Sequence, residues 1–512
     1  MARQDFLLGL DIGTQGVKGG LFSHEGHLIA EAGEPSNLLH PEAGATTEDP
    51  EYQYQSVIRI IASCLRQAKE KGYERIGSQV AALAIDGQMA GVLGVGADGM
   101  AVTPYDSWLD SRCAKYLEFM RKEAEDEILA KSGTAPSINH GPKKLWWMHE
   151  HPEVFETIEK FIQPGGYVAG RLCGLKGSEF FIDRTYLHFS GFADTANGRW
   201  DEDLCRRFSF PMAKLPRIVE PTEVVGTITE EVGKQCGLAA GTKVVAGCGD
   251  TVASFLSSGA VEEGMCVDVA GTASVFAITH KYFLPDHRSK TLGCCASVDP
   301  ELWYSYAYVN GGGMNPEWFV NQFTDAEGPA RFKDLEDQVS RLPDTPDLPL
   351  FVPHFAGRVM PPRPFLRGAW ANLNWNHTKI HLFRAVLESI ALEYGIYLEA
   401  AQALQEGLRP KEIRITGGGE KSRLWNEMKS GVLSAPVVRI KRNIGAPMGA
   451  AMVAAVGAEL FKDIQEVSAA WIESGERIEC DPGRQEFFKQ RLASYKKLLA
   501  AMERFSEEEG TR

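Results

Sequence analysis

The feature that most constrains this chain is a short pattern that occurs twice, half a chain apart. Asp11-Ile12-Gly13-Thr14 follows the apolar run Phe6 to Leu10 and leads into an extended stretch, Val17 to Phe22. Val269-Ala270-Gly271-Thr272 closes a second run from Met265 and leads into Ser274 to Thr279. The two glycines lie 258 positions apart in a chain of 512 residues. A strand–turn–strand context on both sides points to an internal duplication rather than a chance match. Two similar cores are therefore expected, divided at about residue 250: a domain over 1–250 and a second over 251–512.

The remaining pattern is that of an α/β protein. Glu51 to Lys71 carries apolar Val57, Ile60, Ile61, Cys64, Leu65 and Ala68 at helical spacing, and Val80 to Ile85 reads as a buried strand. Lys243 to Ala246 is a short strand running into Gly247-Cys248-Gly249-Asp250. A long helix is predicted from about Thr378 to Gln405, then a strand from Glu412 to Thr416 that enters Gly417-Gly418-Gly419. Strands alternating with helices favour α/β domains. The chain carries 68 acidic against 54 basic side chains, a formal charge of −14. That balance argues against nucleic-acid or anionic-membrane partners, which need a basic face. Ala446 to Phe461, the longest weakly polar stretch, is short of a membrane span. Ten scattered cysteines contain no CxxC pair, so a reduced, soluble, cytoplasmic protein is expected.

Several groups could carry chemistry. Two Gly-Thr turns can offer backbone N–H groups and a hydroxyl to phosphate oxygens without net positive charge. Asp11 at the first turn suits Mg²⁺, which takes carboxylate oxygens alongside phosphates, and Lys18 could reach a phosphate as a point charge. The alternative is a plain hairpin in which Gly13 supplies the turn. Gly417-Gly418-Gly419-Glu420-Lys421-Ser422 joins a strand to a helix, so it either lets a ligand approach the backbone or is simply a tight connection. Asp250 ends a strand between glycines, where it could take a proton from an alcohol or cap the following helix. Asp86-Gly87-Gln88-Met89 and Trp108-Leu109-Asp110-Ser111-Arg112 mix amide, carboxylate, guanidinium and indole groups suited to a polyol, or to a loop cap and a surface ion pair.

Taken in order, Gly9 to Lys18, Gly87-Gln88-Met89, Trp108 to Arg112, Gly247 to Asp250, Gly271-Thr272 and Thr416 to Trp425 resemble the FGGY carbohydrate kinases, the xylulokinases above all. The resemblance implies two actin/hexokinase-like (ribonuclease H-type) domains with an interdomain cleft holding ATP, Mg²⁺ and a small sugar. It implies a metal-facing Asp11 and phosphate contacts at Gly13, Thr14, Lys18, Gly271 and Thr272. It places Gly313, Gly418, Gly419 and Ser422 around the nucleotide, and makes Asp250 the catalytic base. Gln88, Met89, Trp108, Asp110, Asp250 and Thr251 fall on the sugar side. The implied reaction is ATP-dependent phosphorylation of a primary hydroxyl of a ketose or polyol, D-xylulose to D-xylulose 5-phosphate being the best single choice. Another pentulose or a tetritol is the alternative acceptor, and homodimers are common in similar kinases. Three positions depart from the xylulokinase pattern, Ala90 for a histidine, Thr251 for an asparagine and Arg358 for a glutamate, and all three are expected near the cleft. The rival of a different class is an actin/Hsp70-like ATPase, which shares both phosphate turns.

Overall fold

The computed structural model describes residues 6–324, 330–441 and 445–510. The duplicated pattern folds into two sheets of matching topology. In the first, β1 (Phe6–Gly13), β2 (Gly16–Ser23) and β3 (Leu28–Pro35) form an antiparallel meander. On the other side of β1 lie β4 (Val80–Gly87) and β6 (Lys243–Val245), both parallel to it, with β5 (Val224–Thr227) antiparallel at the edge. The order is β5-β6-β4-β1-β2-β3.

The second sheet repeats this. β7 (Met265–Ala270), β8 (Ser274–His280) and β10 (Trp303–Val309) form the meander, with β9 (Gly293–Ala296) added outside. β11 (Glu412–Thr416) and β12 (Val437–Lys441) run parallel on the other side of β7, and β13 (Glu473–Ile478) is the antiparallel edge. The order β9-β10-β8-β7-β11-β12-β13 mirrors the first sheet strand for strand, with one strand added.

Each central strand is buried on both faces, so it reads as a near-continuous apolar run rather than an alternation. Seven of the eight residues of β1, FLLGLDI, are buried. One face of the first sheet is covered by α1 (Pro50–Glu70), which starts on an Asp49 cap whose side chain accepts from Glu51 N–H. Between the two sheets lie α4 (Asp250–Ser257) and α7 (Ala446–Gly457). The long predicted helix is α5 (Lys379–Leu404), packed on the second sheet beside α6 (Arg423–Leu433) and α8 (Pro482–Gly510).

The small residues of α7 serve contact rather than spanning. A Cβ on Gly449 would lie 2.1 Å from Ala253 O of α4. A Cβ on Gly9 of β1 would lie 1.7 Å from Pro447 O. Helix α7, from the second half, is thus pressed on the first sheet at backbone distance, and no described helix is long and apolar enough to cross a membrane.

Between residues 105 and 215 a further layer forms around α2 (Ala114–Ser132) and α3 (His140–Glu150), while Tyr167, Val168 and Leu172 of the same stretch pack into the core of the first sheet. Trp146, Trp147, Phe155, Phe161, Phe192, Phe208 and Phe210 make the core of that layer.

Candidate active site

The chemistry gathers at the C-terminal ends of parallel strands, where open α/β sheets bind ligands. In the first sheet Asp11 of β1 stands opposite Asp86 of β4, and opposite Lys18 of β2 on its other side. Gly87 bridges in parallel to Gly249, so Asp250 follows on the next strand end. Three carboxylates therefore share one edge. Asp86 is fully buried and no N–H or O–H of another residue reaches its oxygens or Oδ1 of buried Asp11; the two carboxyls are hydrogen-bonding neighbours of each other. Burial raises both carboxyls, and the neighbouring Asp11 charge raises Asp86 further.

Asp250 is the first residue of α4, and Gly249, not Asp250, occupies the capping position. One carboxylate oxygen, Oδ1, accepts from Thr251 N–H at 2.6 Å and from Thr251 Oγ1 at 3.1 Å. Burial, then the Asp11 charge, pushes this carboxyl up to about 7. The loop before it leaves no room for larger residues. Gly247 has φ +84°, and a Cβ there would meet Ile85 O at 1.9 Å; a Cβ on Gly249 would strike the Met89 side chain at 2.4 Å. Tyr186 donates from its hydroxyl to Gly87 O or Cys248 O, 3.0 and 3.1 Å away, so it holds both strand ends.

Gln88 is buried and donates from Nε2 to Glu48 Oε1 at 2.6 Å, which leaves its Oε1 unpartnered. Glu48 accepts also from Gln53 Nε2 at 3.1 Å. The Tyr105 hydroxyl is likewise buried without a partner, and a Cβ on Gly91 would lie 2.1 Å from it. Sequence reasoning missed Glu48, Tyr105 and the role of Asp86. Trp108 is exposed and its Nε1 donates to Thr14 Oγ1 at 2.9 Å, tying the sugar-side loop to the first phosphate turn.

Asp110 takes the alternative also open to it in the sequence, a loop cap with an ion pair. Its carboxylate accepts from Thr46 N–H at 2.9 Å and from Arg112 Nε at 3.0 Å, and only 2% of the residue is exposed. Arg112 also reaches Asp106 at 2.8 Å, so Asp110 acts here as the keystone of a loop. Arg358 is buried against Glu393 of α5 at 3.1 Å and Glu503 of α8 at 3.3 Å, so its guanidinium is occupied by carboxylates of the second half. Ala90 and Thr251 do adjoin the groups described above.

In the second sheet, Gly271 and Thr272 form the turn between β7 and β8, and Thr272 is exposed. Gly313 N–H donates to Gly271 O at 3.0 Å, and a Cβ on Gly313 would overlap that oxygen at 2.3 Å. Val269 pairs with Thr416, which sets Gly417-Gly418-Gly419 beside the turn. Gly417 has φ +89°, whereas a Cβ on exposed Gly418 would meet nothing within 4 Å. Ser422 caps α6 by accepting from Trp425 N–H at 3.1 Å. Gly271, Thr272, Gly313 and the glycine run thus form one backbone-lined edge, and Asp11, Asp86 and Asp250 another.

Both halves match sequence models of one family. Residues 6–257 match the N-terminal domain of the FGGY family of carbohydrate kinases, and residues 266–458 match its C-terminal domain. The chain belongs to the FGGY carbohydrate kinases. It is a sugar kinase, and FGGY kinases use ATP as phosphate donor. The actin/Hsp70-like alternative falls with that match. This kinase is 25% identical to the xylulose kinase of Escherichia coli, over 90% of this chain and 92% of that protein. It is 26% identical to a Bacillus subtilis gluconokinase, over 85% and 84%. Its fold superposes on the xylulose kinase of Rhodospirillum rubrum with a TM-score of 0.90 at 25% identity, covering 98% and 100%. A Plasmodium falciparum glycerol kinase solved with ADP shares the fold at a TM-score of 0.84, 18% identity and 97% and 98% coverage. The actin/hexokinase-like architecture expected from the sequence is therefore present.

Proposed function

We propose that this FGGY kinase transfers the γ-phosphoryl group of ATP to a primary hydroxyl of a small neutral ketose or polyol, with D-xylulose the first choice. The observation that carries this reading is Asp250: a carboxylate at a strand end, one oxygen held by Thr251, with a proton affinity suited to work near neutral pH. Asp250 orients the acceptor hydroxyl and takes its proton. The turns at Gly13-Thr14 and Gly271-Thr272 offer N–H groups and hydroxyls to the phosphates, and Gly418 leaves space for the nucleoside. Phosphoryl transfer is largely positioning and electrostatics, so this sparse set suffices. The unpartnered Oδ1 of Asp11 fits Mg²⁺, which would neutralise phosphate charge when bound. Residues 1–250 would supply the sugar side and 251–512 the nucleotide side. The ten cysteines are all free thiols, in keeping with a reducing cytoplasm.

The gluconokinase relatives raise a second acceptor class, an aldonate, and the charges around Gln88 disfavour it. Glu48 and Asp250 approach Tyr105 from the acidic side. Two cations of the sugar-side region are engaged: Arg112 by Asp106, Asp110 and Glu42, and Lys143 by Asp110 O at 2.6 Å. A carboxylate on the acceptor would meet the like charges of Glu48 and Asp250. The test is ADP release measured over pentuloses, hexuloses, tetritols, glycerol and aldonates. D-xylulose or another neutral compound is expected to stimulate turnover most; stimulation by none of them would refute the reading, and preference for gluconate would refute the neutral acceptor.

A further inference from the structure

Asp86 is a residue that packing alone does not explain. It closes a strand otherwise built from Val80, Ala81, Ala82, Leu83, Ala84 and Ile85, in which an apolar side chain would pack as well. It is 0% exposed, no N–H or O–H of another residue reaches either carboxylate oxygen, and its hydrogen-bonding neighbour is the Asp11 carboxyl, with which it can share a proton. The charged groups that act on it are the carboxylates of Asp11 and Asp250. A buried polar group without a partner is costly, and a buried charge far more so, unless something of opposite charge completes its surroundings. Asp11 stands opposite it in strand register, with one orphaned oxygen of its own. Two carboxylates side by side, with three buried oxygens that no donor of another residue satisfies, are a donor set for a hard divalent cation. Mg²⁺ typically takes one or two carboxylates and completes its shell with phosphate oxygens and water.

We propose that Asp86 is a second protein ligand, beside Asp11, of the divalent cation that accompanies the nucleotide phosphates. The assignment rests on the kinase reading. It makes the strand end of β4 part of the phosphate machinery and not of the sugar pocket, although Gln88 lies only two residues on. It also gives the cation site a greater negative charge than a single aspartate supplies, so the cation is held more firmly once ADP has replaced ATP.

Mn²⁺ serves as the probe, with free Mn²⁺ counted by electron paramagnetic resonance in the presence of ADP. Wild type is expected to bind Mn²⁺ with ADP present. Asp86→Asn keeps the shape and removes the charge, and is expected to weaken Mn²⁺ by at least about tenfold, in the range seen when a group supporting a metal is lost. Its affinity for ADP without metal should stay within about twofold of wild type, the spread of ordinary context effects. Should Asn not yield folded protein by circular dichroism, Asp86→Ala carries the same comparison. Unchanged Mn²⁺ affinity in the folded variant, with Asp11→Asn weakening it, would overturn the assignment and leave the kinase reading standing. Absence of Mn²⁺ binding to the wild-type complex with ADP would overturn both.

Discussion

Replacing Asp250 by Asn should abolish turnover and strengthen the fold, and the two effects come from the same physical cause. The ordinary carboxyl value is 3.8, and in this site burial and the Asp11 charge raise it to about 7. The folded state therefore binds this proton more tightly than the unfolded chain does. Below about pH 3.8 the group is protonated in both states and contributes nothing. Between about 3.8 and 7 the unfolded chain ionises first, so stability falls as pH rises, and above about 7 the loss is complete. At 1.36 kcal/mol per pH unit the full penalty is about 4 kcal/mol. Asn carries no charge, and its Oδ1 can still accept from Thr251 N–H. D250N should thus unfold at a higher temperature than wild type at pH 8, and the difference should shrink towards pH 4. The gain measured at pH 8 should be a few kcal/mol, since water entering the cleft softens the penalty. Turnover should fall by at least about 10², the lower end for loss of a general base, with ATP still bound. In wild type, kcat/KM should rise with pH through about 7, because only the ionised carboxylate accepts the hydroxyl proton. Differential scanning calorimetry from pH 4 to 8 and the coupled kinase assay supply both readouts. Near-normal turnover in D250N, or a lower melting temperature at pH 8, would refute the reasoning.

Two buried ion pairs make further tests. Lys429 and Asp268, both 0% exposed and 2.5 Å apart, should show a loss of about 3–5 kcal/mol in urea unfolding when Lys429→Met strands the carboxylate, with much of it regained on adding Asp268→Asn. Arg358→Ala removes one partner of Glu393, whose carboxylate keeps His354 and the Tyr495 hydroxyl, so it should cost less, about 1–3 kcal/mol, and should leave the KM for the sugar unchanged; a large rise in that KM with stability intact would put Arg358 on the sugar side.

What could be read from the sequence was whatever the chain encodes locally. The Gly-Thr echo placed both hairpins, and β7 and β11 run over the residues that periodicity and composition marked, Met265–Ala270 and Glu412–Thr416. Strand alternation and helical spacing are properties of a short window. Partnership across the fold is not. Arg358 reads as a loop residue by the cleft, yet its partners lie 35 and 145 positions away. Asp110 reads as a sugar contact because it is an acid beside a tryptophan, but Thr46 and Arg112 occupy its oxygens. Glu48 matters only because Gln88 and Gln53 point at it. Asp86 was hidden in another way: the residue closes an apolar strand run, and only its burial with no hydrogen-bonding neighbour but the Asp11 carboxyl sets it apart.

Those orphaned atoms reveal how the site is divided. Unpartnered buried groups of the first half include Asp11 beside the Gly13-Thr14 turn and Gln88 near Glu48, besides others scattered at Gln53, Thr134, Asn139, Lys144, Arg184 and Thr195. A folded protein satisfies nearly all its buried polar groups, and each exception asks for a cause. For Asp11, Asp86 and Gln88, a phosphate-bound cation and a polyhydroxyl acceptor would supply the missing donors and charge. The second half instead offers backbone: a Cβ on Gly313 would overlap Gly271 O at 2.3 Å, and one on Gly417 would press on Ala270 O at 2.8 Å. Side-chain acids would hold cation and acceptor on one sheet, and main-chain N–H groups the anionic nucleotide on the other. A chain with a net charge of −14 can handle ATP for that reason: its phosphates would meet backbone dipoles and a cation rather than the acidic surface.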